Sequence, residues 1–177
     1  IGGRSTGYDL LPELCRAAAE RGWGCYFLGG AEGVAESAAE RLAAGNPGLE
    51  ISGVFSPAFK ERFSRDETQA MVERVNRSGA RILFVSLSSP KQDRWIAEAL
   101  PDLQVRLAIG IGAALDVAAG RFSRPPAWIR DHGLEWAHRL LQEPSRLYRR
   151  YLVQAPRFVP RIFRQILQER RQTSATP

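Results

Sequence analysis

At 177 residues the chain is sized for one domain with a real core. A hydrophobic fraction of 44% and a charged fraction of 25% exclude a disordered chain, and no apolar run reaches the ~18 residues that span a bilayer. No charged, then apolar, then small-residue pattern marks a signal peptide, which predicts a cytoplasmic protein. The chain opens at Ile1 rather than at a methionine, so its natural start is expected upstream. Charge is unevenly placed. Residues 1–120 hold 13 basic and 15 acidic side chains, whereas residues 121–177 hold 12 and 4, for an overall net charge of +6. A basic block of that kind implies an anionic partner, whether nucleic acid, acidic lipid headgroups or a phosphorylated substrate.

In chain order, Leu10, Leu11, Leu14, Cys15, Ala18 and Ala19 repeat with helical spacing, and Gly22 marks the stop. Asp9 is expected to cap this helix at Leu10. Cys25 to Gly30 then reads as a buried strand ending in glycines, Gly33 to Ala44 as a second helix, and Glu50 to Phe55 as a second strand. Ser64 with Glu67 has the spacing of a capping box, opening a helix to about Ser78. Arg81 to Leu87 is the clearest strand, a continuous apolar run of the kind a parallel sheet covers on both faces. Pro90 suits the first turn of the next helix, which runs to about Leu100, and Val105 to Gly112 is the last strand. Cys15 and Cys25 read as small buried residues in a reducing compartment rather than as a disulfide.

Alternation of this kind specifies an α/β, Rossmann-like parallel sheet with right-handed crossovers. Such sheets bind ligands outside the carboxyl ends of their strands. Gly29 with Gly30, Ser88 with Ser89, and Gly110 with Gly112 all fall there, and small residues let a ligand approach the backbone closely. The LGGAEG turn, Leu28 to Gly33, can cradle a diphosphate on backbone N–H groups, although many α/β proteins use such turns only for close packing. GIGAALD, Gly110 to Asp116, lacks the third glycine of a dinucleotide motif and follows the last strand, which argues against a nicotinamide site. Within SSPKQDRW, Ser88 to Trp95, Lys91 and Asp93 read as a solvated helix start. Gln92 is set apart because an amide there can contact both a hydroxyl and a phosphate oxygen.

No two aspartates are separated by a single residue, so no Asp-x-Asp pair is present to hold a divalent metal for a nucleotide sugar. His132 and His138 do not share a helix face as an i, i+4 metal pair would. If the protein handles a nucleotide sugar, arginines or helix N-termini stabilise the leaving diphosphate instead, with Arg4, Arg121 and Arg124 as the arginine candidates by position.

From about Phe122 the pattern changes to arginine-rich helical segments punctuated by prolines. Arg146, Arg149, Arg150 and Arg157 fall near one helical face, and Ile162, Phe163, Ile166 and Leu167 form an apolar stripe after Pro160. A basic amphipathic stretch bearing aromatics suggests a membrane interface, and a helix packed on its own domain is the alternative. The sequence divides accordingly into a core over residues 1–138 and a helical, basic appendage over residues 139–177.

Three strings resemble the WecG/TagA/CpsF family of bacterial glycosyltransferases. GRSTGYDLL (Gly3 to Leu11) resembles its R-V-x-G-x-D-L segment. NRSGARILFVSLSSPKQDRW (Asn76 to Trp95) resembles its I-N-x-S-x-x-D-I-L-x-V-x-L-G-x-P-K-Q-E-x-W block. Gly110 to Leu152 resembles G-V-G-x-x-F-D-x-x-A-G-x-x-x-R-A-P-x-W followed by L-E-W-x-x-R-L-x-x-E-P-x-R. Asp93 stands for the usual glutamate, and Ser88 for the usual glycine, which would narrow the pocket.

The resemblance implies an inverting, metal-independent transfer from a UDP-sugar, with N-acetylmannosamine, its uronic acid or a related hexose as the sugar. The acceptor would be a sugar on a polyprenyl diphosphate, and the product would feed cell-surface polysaccharide. Carried over, Arg4 binds the diphosphate and acts with Gln92 in catalysis, and Gln92 sits in the sugar pocket. Gly29, Gly30, Asp116 and Arg124 are placed at the nucleotide edge by their position in the chain. The catalytic carboxylate of the family lies upstream of the arginine motif, hence upstream of Ile1. No metal or other cofactor is expected. The basic appendage would hold the protein peripherally on the inner face of the plasma membrane, and a homo-oligomer is left open. Two rival readings are a catalytically silent UDP-sugar-binding fragment and a nucleic-acid-binding protein. Against the latter, the charge is confined to the C-terminal third and no RNA- or DNA-binding motif is visible.

Overall fold

A computed structural model describes residues 6–126, 128, 129 and 132–148. Within them the elements are α1 (Gly7–Arg21), β1 (Cys25–Gly29), α2 (Val34–Gly45), β2 (Ile51–Phe55), α3 (Arg65–Arg77), β3 (Ile82–Ser86), α4 (Lys91–Ala99), β4 (Leu107–Gly110), α5 (Ala114–Ala118), α6 (Glu135–Gln142) and α7 (Pro144–Tyr148). The four strands form one parallel sheet in the order β2-β1-β3-β4. This is the expected α/β, Rossmann-like class.

The two central strands are apolar throughout because helices cover both their faces. Side chains alternate: Cys25 and Phe27 of β1 and Ile82 and Phe84 of β3 join one cluster with Leu11, Cys15, Ala35, Ala38 and Leu115. Tyr26, Leu28, Leu83 and Val85 join the other, with Met71, Val72, Val75, Trp95 and Ala99. Helices α1, α2 and α5 therefore cover one face, and α3 and α4 the other. Phe27 and Phe84 stack at 5.2 Å across the β1–β3 pair, which locks the register at the centre of the sheet. Both thiols are free and fully buried, and loss of hydration pushes Cys15 up to about 12 and Cys25 up to about 11.

Helix starts follow from local chemistry. The capping box at α3 is present: Glu67 N–H donates to Ser64 Oγ at 3.2 Å, and Ser64 N–H donates to Glu67 Oε2 at 2.9 Å. Such a cap is worth about 1 kcal/mol. At α1 the expectation is corrected. The helix begins at Gly7 with Thr6 as its N-cap, and Asp9 is its third residue, reaching back to accept from the Thr6 N–H and hydroxyl at 3.1 and 2.7 Å. Pro90 is likewise the N-cap of α4 rather than a residue of its first turn.

The chain packs as two units, residues 1–124 and residues 125–177. In the described part of the second unit, Trp128, Leu134, Trp136, Leu141 and Tyr148 are exposed. Among the described residues, no helix is long and apolar enough to cross a membrane. The arginine-rich segment after Tyr148 and the stripe at Ile162, Phe163, Ile166 and Leu167 lie outside the described residues.

Candidate functional site

Strand order reverses between β1 and β3. The connection from β1 leads outward to β2 on one side, and β3 lies on the other, so the crevice of an open α/β sheet falls at the carboxyl ends of these two strands. The chain places its small residues there. Gly29 and Gly30 follow β1 with φ of +111° and +83°, a region that side chains rarely adopt. A Cβ on Gly29 would stand 2.4 Å from the Ser86 carbonyl oxygen, so backbone runs directly against backbone. The Gly30 N–H donates to that same oxygen at 2.9 Å.

Ser86 continues the chain of bonds. Its hydroxyl donates to the Gly112 carbonyl at 2.6 Å, while the Gly112 N–H donates to Gln92 Oε1 at 3.0 Å. Side chains from β3 and α4 thus clamp both polar groups of one glycine in the turn after β4. Gly110 makes room for this, since a Cβ there would meet Gln92 Nε2 at 2.6 Å. Gln92 is buried, and its carbonyl is committed to the frame of the crevice. Ser56 adds the turn after β2, donating its hydroxyl to the Gly29 carbonyl at 3.1 Å.

The start of α1 closes the same edge. Gly7 lies over the β4–α5 turn, where a Cβ would be 2.6 Å from the Ile111 carbonyl oxygen. Two residues on, Asp9 pairs with Arg124. The Thr6 hydroxyl and N–H, together with Arg124, hold the Asp9 carboxyl below the usual carboxylate range, which suits a structural acceptor and disfavours a proton-abstracting role. Asp116 stands in α5, with Arg121 at 3.7 Å as an ion-pair partner.

Of the residues singled out from sequence, Gly29, Gly30 and Gln92 meet in one bonded network. Arg124 reaches the edge through Asp9, and Asp116 reaches it in α5, whose Leu115 would touch a Cβ on Gly30 at 3.5 Å. Arg4 lies outside the described residues. Ser86 was not anticipated, because a serine ending an apolar strand reads as a strand residue and its partner is 26 positions away. Lys91 is a correction. It is not a solvated helix start, since its ammonium donates to the Lys60 carbonyl at 2.6 Å and lies over the rings of Phe59 and Phe63 at 4.5 and 5.3 Å. Among the described residues, no cluster of three His, Cys, Asp or Glu is arranged to hold a metal ion.

A parallel sheet with helices on both faces and a glycine-lined crevice at its switch point defines an open α/β protein of the kind that takes a ligand at that edge. The family "Glycosyl transferase WecG/TagA/CpsF family" matches residues 1–172, and the chain belongs to it. A curated relative from Bacillus spizizenii (strain ATCC 23059 / NRRL B-14472 / W23), named N-acetylglucosaminyldiphosphoundecaprenol N-acetyl-beta-D-mannosaminyltransferase, is 29% identical over 161 residues. The match covers 91% of this chain and 60% of that relative's length.

Proposed function

We infer that the chain is the nucleotide-binding part of an inverting glycosyltransferase. It moves N-acetylmannosamine, its uronic acid or a related hexose from a UDP-sugar to a sugar on a polyprenyl diphosphate. The observation that carries this reading is the clamped, glycine-lined edge at Gly29, Gly30 and Gly112, built in a chain of this family. The relative's name supplies the polyprenyl-linked acceptor and the mannosaminyl group.

In this reading the acceptor hydroxyl attacks the anomeric carbon as the bond to the UDP oxygen breaks, and the hydroxyl proton passes to a carboxylate base. Asp9 is not that base, because the Thr6 N–H, the Thr6 hydroxyl and Arg124 already occupy its oxygens. Arg4, with Arg124, and the backbone N–H groups of the crevice offset the charge that develops on the departing diphosphate. The absence of an Asp-x-Asp pair supports transfer without a divalent metal. Calorimetry with UDP in the presence of chelator tests the reading. Binding is expected without metal, and binding that requires added magnesium or manganese overturns it. In the complete polypeptide, Arg4→Ala should lower transfer at least ~100-fold, and a loss below about threefold would remove Arg4 from the role.

Peripheral attachment to anionic membrane fits the excess of arginine after residue 120 and the exposed Trp128, Trp136 and Leu141. Flotation with anionic vesicles is the check, and a chain ending at Leu152 that floats as well as the parent would clear residues 153–177 of the anchoring role.

A further inference from the structure

On the α3–α4 side of the carboxyl edge, a cavity of about 310 Å³ opens between residues 59–63 and the turn that starts α4. Ser88, Ser89 and Lys91 belong to its lining, while Gln92, the next residue, turns to the Gly112 clamp. Adjacent residues of one helical turn thus serve opposite sides of the same loop. Among the cations of the lining, Lys60 is committed to Glu67, and Arg62 lies 3.4 Å from Glu98. Lys91 and Arg94 have no carboxylate partner among the described residues. Glu61 is the remaining carboxylate of the wall.

That leaves the Lys91 ammonium partly removed from water, with one carbonyl and two ring faces beside it but no carboxylate among the described residues. Burial lowers the Lys91 pKa, so a charge is being held where hydration is poor. Ring faces soften this cost, and an anion would offset it more fully. Beside the two cations stand apolar surfaces. Phe59 is 83% exposed at the tip of the 57–60 segment, and Trp95 closes the wall at 2% exposure. Unneutralised cations next to an exposed aromatic match a ligand that is dianionic at one end and hydrocarbon at the other.

We propose that this cavity takes the diphosphate of a prenyl diphosphate, with Lys91 and Arg94 as its cationic ligands and Phe59 and Phe63 against the first carbons of the tail. The proposal rests on the reading of the chain as a polyprenyl-diphosphate-dependent transferase, and it assigns the acceptor to the side of the β3–α4 turn away from the glycine-lined crevice. A volume of about 310 Å³ suits a diphosphate and the head of its tail, with the rest of the chain outside. A sugar between the two sites would then bridge the turn, with its diphosphate held here and its hydroxyl towards the donor.

The test is calorimetry on the full chain with farnesyl diphosphate, inorganic pyrophosphate, farnesol and UDP. Farnesyl diphosphate is expected to bind more tightly than pyrophosphate, with farnesol weakest. Arg94→Gln should weaken the two diphosphates at least fivefold, about the scale of one charge-assisted contact, and change UDP affinity less than twofold. Arg94 is exposed and has no carboxylate partner among the described residues, so this variant should fold as the parent does, whereas Lys91→Met also frees the Lys60 carbonyl and serves as the second variant. Unchanged farnesyl diphosphate affinity in Arg94→Gln overturns the site, as does displacement of farnesyl diphosphate by UDP. A chain that binds no UDP yet shows the Arg94 dependence would overturn the transferase reading and leave the diphosphate site standing.

Discussion

Along the carboxyl edge, the turns after β1, β3 and β4 are tied by backbone and neutral side-chain bonds, from Gly30 to Ser86 to Gly112 to Gln92. Beyond Ser56, which joins that frame through Gly29, residues 59–63 are held by charge and ring faces instead, through Lys60 with Glu67 and Lys91 over Phe59 and Phe63. The first arrangement has no titratable member, so its geometry is insensitive to pH and salt. The second depends on interactions that salt screens. A ligand edge can therefore combine a fixed frame with an adjustable wall, provided the two are separated by a turn.

The largest effect is expected where the fixed frame admits no side chain. Gly29→Ala forces an alanine to φ +111° with its Cβ 2.4 Å from the Ser86 carbonyl oxygen, and should cost about 3 kcal/mol or more in urea unfolding. A loss under ~1 kcal/mol would mean the frame yields as readily as the charged wall. Next comes Gln92→Leu, which leaves the Gly112 N–H without its acceptor for about 2 kcal/mol. Because this bond is between neutral groups, the cost should be equal at low and high salt, and a salt-dependent cost would erase the contrast. Combined with Ser86→Ala the losses should be less than additive, since both side chains hold Gly112. The smallest change is a gain. Ser88, between the two regions, has φ +66°, so Ser88→Gly should stabilise the chain by about 1 kcal/mol in the same assay. A loss instead would show that the serine side chain contributes more than its backbone strain costs.

Much of the fold was legible because its signals are local. The run at Ile82 to Ser86 could only be a covered strand, Ser64 and Glu67 announced their helix, and Gly22 ended α1 in the left-handed conformation that glycine allows. Thr6 and Asp9 carry capping-box spacing too, but with aspartate in place of glutamate, and the apolar repeat beginning at Leu10 drew the helix start three residues too late. The glycines of the candidate site were legible as residue types at strand ends. Their bonding was not, because the Ser86–Gly112 and Lys91–Lys60 contacts join residues 26 and 31 positions apart. Strand order, which sets where the crevice falls, is likewise a property of crossovers rather than of any one segment.

Burial of the two thiols has a practical consequence. With Cys15 at about 12 and Cys25 at about 11, at most about one buried group in a thousand is thiolate at pH 8. Alkylating reagents should then pass over both native cysteines in the folded protein. A single cysteine introduced at the exposed position of Phe59 would carry a fluorophore to the mouth of the cavity, against an almost silent background and without altering either core residue.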